Sequence, residues 1–329
     1  MLIVKKNINY AKIIYEWLDV KKGEIDSNNL KEQTYIKYYD IINRIIIPIL
    51  GNENFNKLNS KTIQNFFSNE KINSLALSSQ KTLFYIINAS SKYGKAKGYK
   101  TNLNKIDINL KTPKAKIVYL TKYEQKKVED LLEKKEGIKS LGILMCLYTG
   151  LRIGELCALR WKDIDLKNKC YKIEHTVQRV KNLDKNANNK TKLILGEPKT
   201  INSKRIVPIP NFLIPLLKKY KQNDNIFVFN EKKFPRDPRT FESYFERLLK
   251  KCDIKNKNFH SLRHTFATRS LEAGIDIKTL SEILGHSSYK ITLDIYVHSS
   301  FELKKDSLNG LVNYLNKGKR KKNIFYNEE

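Results

Sequence analysis

Acid is what this chain is short of. Its 329 residues carry 34 Asp and Glu against 63 Lys and Arg, a formal net charge of +29. The shortage is not confined to one tail, because residues 1–112 hold 18 basic and 9 acidic side chains and the remainder 45 and 25. Codon bias toward Lys and Asn would enrich lysine but would not remove acid. A basic field spread over both halves attracts a polyanion and speeds its capture, so a nucleic acid is the expected partner. Cysteine is scarce too. Cys146, Cys157, Cys170 and Cys252 lie far apart with no CxxC pair, which argues against a disulfide framework and against zinc-ligand spacing. No metal and no cofactor is expected. Long apolar runs are missing as well. The richest, Ile41–Leu50, is interrupted by Arg44 and Pro48 and is too short to span a bilayer, and the N-terminal MLIVKKNINY is too short for a signal peptide. The expected location is the bacterial cytoplasm in association with the nucleoid, without a membrane partner.

What is present reads as two folded parts. Apolar residues at three- and four-residue spacing predict helices over Ile8–Leu18, about Leu30–Leu50, Ser60–Phe67 with Ser60 as N-cap, and from near Ser78 to around Gly94 to Gly98. KTPKAK at 111–116 reads as a linker, and Thr121 with Glu124 has capping-box spacing at the start of a new domain. Ile138–Thr149 is apolar almost throughout and predicts a buried helix broken by Gly150, followed by a short helix over Leu151–Leu159. Alternation at Tyr171, Ile173, His175 and Val177, and again at Leu193–Leu195 and Arg205–Ile209, predicts strands around an exposed Asn- and Lys-rich tip at 181–192. Helix follows at Phe212–Tyr220 and from Arg239 onward. The expected fold is mainly α (α+β): an all-helical domain over 1–111, a linker at 112–116, a mixed, mostly helical domain with a small antiparallel β-sheet over 117–317, and a basic tail at 318–329.

Three stretches of the second domain hold residues suited to chemistry. In TGLRIGEL, Arg152 follows a glycine turn at the opening of a short helix, where it can share an anion with the helix N-terminus. Taken alone, it is equally well a surface arginine paired with Glu155. In HSLRHT, His260 and Arg263 share one helix face, although a core histidine is the commoner use of such a residue. LGHSS carries His286, and Tyr296 in TLDIY follows ten residues later. Most of the 18 tyrosines must be structural. Together, however, two guanidiniums, two imidazoles and a phenol, ordered Arg…His-x-x-Arg…His…Tyr, supply what metal-free phosphodiester transesterification requires. Guanidinium forks bind non-bridging phosphate oxygens and stay charged. A phenol, with a free pKa of ~10, needs a base and a cationic setting to attack. The leaving oxygen needs a proton.

These motifs resemble the tyrosine recombinases, or phage integrases, over nearly the whole chain, and most closely those of Gram-positive phages and conjugative transposons. The resemblance implies that Arg152 and Arg263 clamp a scissile phosphate. It implies that Tyr296 attacks to give a 3′-phosphotyrosine, that His260 assists proton transfer and that His286 hydrogen-bonds the phosphate. The family's catalytic lysine sits on a β-hairpin, a place that Lys199 in Glu-Pro-Lys-Thr fits, with Lys204 as its rival. By the same resemblance the N-terminal domain is a core-binding domain, and the two domains close around double-stranded DNA. The apolar stripe Leu308, Leu311, Val312 and Leu315 either packs on its own domain or docks on a neighbour in a homotetramer on synapsed DNA. An accessory directionality factor is a further candidate partner. Larger integrases carry an arm-binding domain ahead of the core-binding one, whereas only about seven residues precede the first expected helix here: either arm sites are dispensed with or the chain starts late.

The activity implied is site-specific recombination that integrates or excises a mobile element. The other readings are a recombinase that resolves chromosome or plasmid multimers, a type IB topoisomerase and a DNA-binding protein without catalysis. The charge generates a prediction of its own: duplex binding weakens steeply with salt, since each neutralised phosphate adds ~0.9 to the log–log slope. A flat response between 50 and 200 mM salt in a filter-binding or anisotropy titration would contradict it.

Overall fold

The computed structural model describes residues 8–103, 117–184, 186–198, 201–230, 234–289, 293 and 301–316. Contacts divide the chain into two compact units, Met1–Ala115 with Val180–Thr191, and Lys116–Arg179 with Lys192–Glu329. The expected linker at 112–116 and the basic tail at 318–329 lie outside the described residues.

The first unit is helical apart from the hairpin tip that it includes. Its helices are α1 (Tyr10–Asp26), α2 (Glu32–Ile41), α3 (Ile47–Leu50), α4 (Ser60–Ser68), α5 (Glu70–Asn73) and α6 (Leu77–Ala96). The apolar face of α1, Tyr10, Ile13, Ile14, Trp17 and Leu18, is buried, as are Leu83, Ile86 and Ile87 of α6, which packs against it. Tyr10 Oη and Ser90 Oγ, 2.8 Å apart, satisfy each other inside this layer. The single helix expected over 30–50 is interrupted by a π-helical turn at Ile42–Ile46. Pro48 explains the turn. It has no N–H, and its ring crowds the carbonyl four residues back. The ladder therefore widens, and the Ile47 amide donates to the Ile42 carbonyl. The N-cap of α4 is Asn59 and not Ser60: Asn59 Oδ1 accepts from the Thr62 amide at 3.0 Å, and Ser60 is already helical. Both are good caps, and spacing alone cannot separate adjacent candidates.

The second unit opens with α7 (Lys122–Lys134), and its capping box is formed as expected. Thr121 Oγ1 accepts from the Glu124 amide at 3.1 Å, while Glu124 accepts from the Thr121 amide at 2.7 Å. α8 (Ile138–Thr149) lies in the core, burying Leu141, Ile143, Met145, Cys146 and Leu147, and packs against α7, α10, α11 and α12. Then follow α9 (Ile153–Ala158), a 3-10 turn at Trp161–Asp163, β1 (Ile164–Asp165), β2 (Cys170–Ile173), β3 (Thr176–Lys181), β4 (Thr191–Gly196) and β5 (Arg205–Pro208). The chain closes with α10 (Leu213–Tyr220), α11 (Pro238–Lys251), α12 (His260–Glu272), α13 (Ile277–Leu284) and α14 (Phe301–Asn316).

The expected mainly helical fold with a little antiparallel sheet is observed, but the sheet is two. β2 pairs antiparallel with β1 and β5, with Tyr171 opposite both Ile164 and Val207, whereas β3 pairs with β4. The run expected to be one strand breaks at Glu174 and His175. Alternation continued across the break because Tyr171, Ile173 and Val177 are all buried. A period of two reports the buried face, not the sheet a strand joins. Among the described residues, no helix is long and apolar enough to cross a membrane.

Gly150 ends α8 in the left-handed region at φ 66°, and a Cβ there would lie 2.5 Å from the Phe266 ring and 2.6 Å from Leu284 Cδ2. Backbone strain and overlap act in the same direction. Gly150→Ala is expected to cost about 2 kcal/mol of stability, read as a lower urea midpoint; an unchanged midpoint would show that this turn tolerates a side chain.

Candidate active site

Helix ends leave carbonyls without intrahelical partners, and the C-terminal end carries partial negative charge. At the end of α13 three successive carbonyls each accept from a different arginine. Arg205 Nε donates to the Ile283 oxygen, Arg263 Nη2 to that of Leu284 at 2.8 Å, and Arg152 Nη2 to that of Gly285 at 3.1 Å. Arg263 also donates to the Gly150 carbonyl at 2.7 Å, so it joins the ends of α8 and α13. Gly285 closes α13 at φ 64°, and a Cβ there would stand 2.8 Å from the Asn202 carbonyl oxygen and 2.9 Å from Arg205 Cδ. His286 follows at once, its amide bonded to the Ser281 carbonyl at 3.1 Å.

One carboxylate serves two of these arginines. Glu155, 2% exposed on α9, accepts from Arg152 Nη1 at 2.7 Å and from the Arg152 amide at 3.0 Å. It also accepts a two-pronged fork from Arg205, at 3.1 and 3.0 Å. Burial alone would raise its pKa, but the Arg205 bonds and charge, with Arg152, hold it below the usual carboxylate range. Arg263 has no carboxylate partner among the described residues. Burial and then the Arg152 charge bring its pKa down to about 9, so it remains a cation at neutral pH. The three arginines and one glutamate therefore leave a positive excess at the end of α13.

His260 opens α12, where Asn258 Oδ1 caps the helix by accepting from the Ser261 amide at 3.2 Å. Its ring meets that of His264 edge-on at 4.6 Å. Solvent reaches its outer side, yet the surrounding protein, then His264, Arg263 and Arg152, lower its pKa to about 4. His286, half-buried, is lowered to about 3 by burial and then by Arg263, Arg152 and Arg205. Both rings are neutral at pH 7, and each can accept or donate a hydrogen bond. A cavity of about 310 Å³ opens beside His260, lined in part by His260, Arg263, Asn258, Glu242 and Glu246.

Four of the six nominated residues, Arg152, His260, Arg263 and His286, are thus brought into one electrostatic neighbourhood. Lys199 and Tyr296 lie outside the described residues. The rival lysine, Lys204, pairs with Glu197 at 2.7 Å. Arg152 pairs with Glu155, as its plainer reading expected, and also faces the end of α13. Arg205 escaped notice in the sequence. It looked like one residue of an alternating strand, and nothing local marks an arginine whose partners lie on α9 and α13. Among the described residues, no group of three or more His, Cys, Asp or Glu side chains could hold a metal ion.

The fold as a whole is that of integrase and recombinase structures. It superimposes on a Tn1549 transposon integrase in complex with a circular intermediate DNA with a TM-score of 0.71 at 21% identity, covering 92% of this chain and 99% of that one. A lambda integrase dimer bound to a core site gives 0.61 at 19% identity, covering 88% and 77%. Residues 118–302 match the phage integrase family and residues 10–72 the phage integrase N-terminal SAM-like domain; the chain belongs to the phage integrase family. A XerC-like tyrosine recombinase of Caldanaerobacter subterraneus subsp. tengcongensis is 35% identical over 57% of this chain and 53% of its own length. The transposase of Tn916 from Enterococcus faecalis is 30% identical over 55% and 46%. The chain spans about half the length of these curated relatives.

The depressed histidines set a pH dependence. Unfolded, an imidazole takes up a proton near pH ~6.5; folded, His260 and His286 resist until about 4 and about 3. Between those values the unfolded chain binds more protons, so stability falls as pH drops from 6.5 toward 4. The melting temperature is expected to be lower at pH 5 than at pH 7, with the gap narrowed in His286→Gln. An equal gap in that variant would assign the acid sensitivity to other groups.

Proposed function

We propose that this chain is a site-specific DNA recombinase that cuts and rejoins duplex DNA through a covalent phosphotyrosine. The observation that carries the reading is the convergence of Arg152 and Arg263 on the adjacent carbonyls of Gly285 and Leu284, just ahead of His286. Arg263, held by neutral carbonyls, keeps its charge for an anion, Arg152 shares its carboxylate partner Glu155 with Arg205, and each has donors beyond those bonded to the protein. A phosphodiester brought there would find two cations for its non-bridging oxygens, where each donor contributes ~3–4 kcal/mol as charge develops in the transition state. Neutral His260 assists the proton of the attacking phenol, and His286 hydrogen-bonds the phosphate. Tyr296 displaces the 5′-oxygen to give a 3′-phosphotyrosine, and Lys199 protonates the leaving oxygen. Attack by the freed or an exchanged 5′-hydroxyl reverses the step and reseals the strand.

The domain plan that goes with this chemistry is a helical core-binding part over 1–111 and a catalytic part over 117–317. The substrate is double-stranded DNA, in keeping with the net charge of +29. Leu308, Leu311, Val312 and Leu315 of α14 are all more than half exposed, which supports docking on another copy in a tetramer. A directionality factor would act on that assembly at the nucleoid. Integration and excision of a mobile element is the favoured role, given relatives named as transposases of Tn916 and Tn1545.

Tyr296→Phe removes the nucleophile without removing charge. It is expected to abolish covalent capture of a nicked suicide duplex while leaving duplex affinity within about twofold. A phenylalanine variant that still formed a denaturant-resistant DNA adduct would disprove the assignment.

A further inference from the structure

Arg205 has no place in the chemistry just described, yet it is the most tightly held of the three arginines. Its side chain is 6% exposed. Its guanidinium donates to the Ile283 carbonyl, to the Ser203 carbonyl at 3.0 Å, and to both oxygens of Glu155. Buried and bonded to four protein acceptor atoms, it keeps little to offer a phosphate. Its effect must pass through Glu155. That carboxylate also holds Arg152, three residues earlier and 2.7 Å away. A lone Arg152–Glu155 pair would be close to neutral and would withhold Arg152 from an incoming anion.

We infer that Arg205 is a positioning residue whose charge engages Glu155, so that Arg152 keeps its own charge for a phosphate oxygen. The inference deepens the proposed function and rests on that reading of Arg152. Electrostatics and geometry agree. Arg152, Arg205 and Arg263 against Glu155 leave two positive charges in excess, and loss of Arg205 would leave one. The Arg205 fork also fills both oxygens of Glu155, which fixes the carboxylate in the orientation that Arg152 meets. Because β5 begins at Arg205, the same side chain ties the β4–β5 connection, on which Lys199 lies in sequence, to α9 and to the end of α13. His286 is lowered partly by this charge, so it reports on the arrangement.

The test is titration of the full chain with sulfate, followed by the imidazole NMR signal of His286. If the parent chain shows no saturable sulfate response, the phosphate-site reading itself fails. If it responds, Arg205→Met is expected to bind about tenfold more weakly, as loss of one nearby charge implies. The double variant Arg205→Met, Glu155→Gln has the parent's net charge and is expected to return to within about threefold. Arg205→Lys keeps the charge without the two-pronged contact, so it is expected to bind more tightly than Arg205→Met but below the parent. A side chain with a merely structural role would give no recovery when Glu155 is also changed. Parent-like affinity in Arg205→Met, or no recovery in the double variant, would overturn the inference. Should Arg205→Met not fold, the double variant decides: affinity within threefold supports the role, and a tenfold loss refutes it.

Discussion

The exposed carbonyl end of α13 is the constraint on which the rest of the second unit depends. A helix cannot satisfy its own last carbonyls, and here three of them are met by arginines from β5, α12 and the turn before α9. These donors come from distant parts of the chain, so forming the bonds assembles the site. The choice of acceptor matters as much as the bonds. A carbonyl orients a guanidinium without cancelling its charge, whereas a carboxylate does both. One glutamate for three arginines keeps the assembly folded and leaves it cationic.

That excess charge has a cost. Burial, and then the repulsion of like charges gathered there, lowers the pKa values of Arg263, His260 and His286. The protein offsets the repulsion with the helix dipole, with Glu155 and by keeping both imidazoles neutral. A bound phosphate would relieve the remainder, so the same arrangement that strains the unliganded protein would favour the anion. Left-handed glycines at 150 and 285 allow the two helix ends to approach so closely. Any side chain there would push apart the elements that carry the charges.

Much of this was legible before any coordinates. The capping box of α7, the buried run of α8 and its glycine stop are short-range features, decided by residues three or four positions apart. The errors were also short-range in origin. Asn59 and Ser60 are neighbours with the same capping chemistry, Pro48 changed the helix ladder before it rather than ending it, and alternation ran on across a break between two sheets. The nominated arginines and histidines were recognisable because four motifs occurred in one order, not because any one of them was telling.

The sequence by itself determined the helical character of both parts, the basic charge and the identities of Arg152, His260, Arg263 and His286 as candidates, because periodicity, capping and motif order are written locally. Only the tertiary structure decided that Arg152 and Arg263 meet at adjacent carbonyls, that the histidines are neutral, and that Arg205 belongs with them. Those facts depend on packing between segments far apart in the chain and on burial, and neither burial nor long-range contact has a local signature.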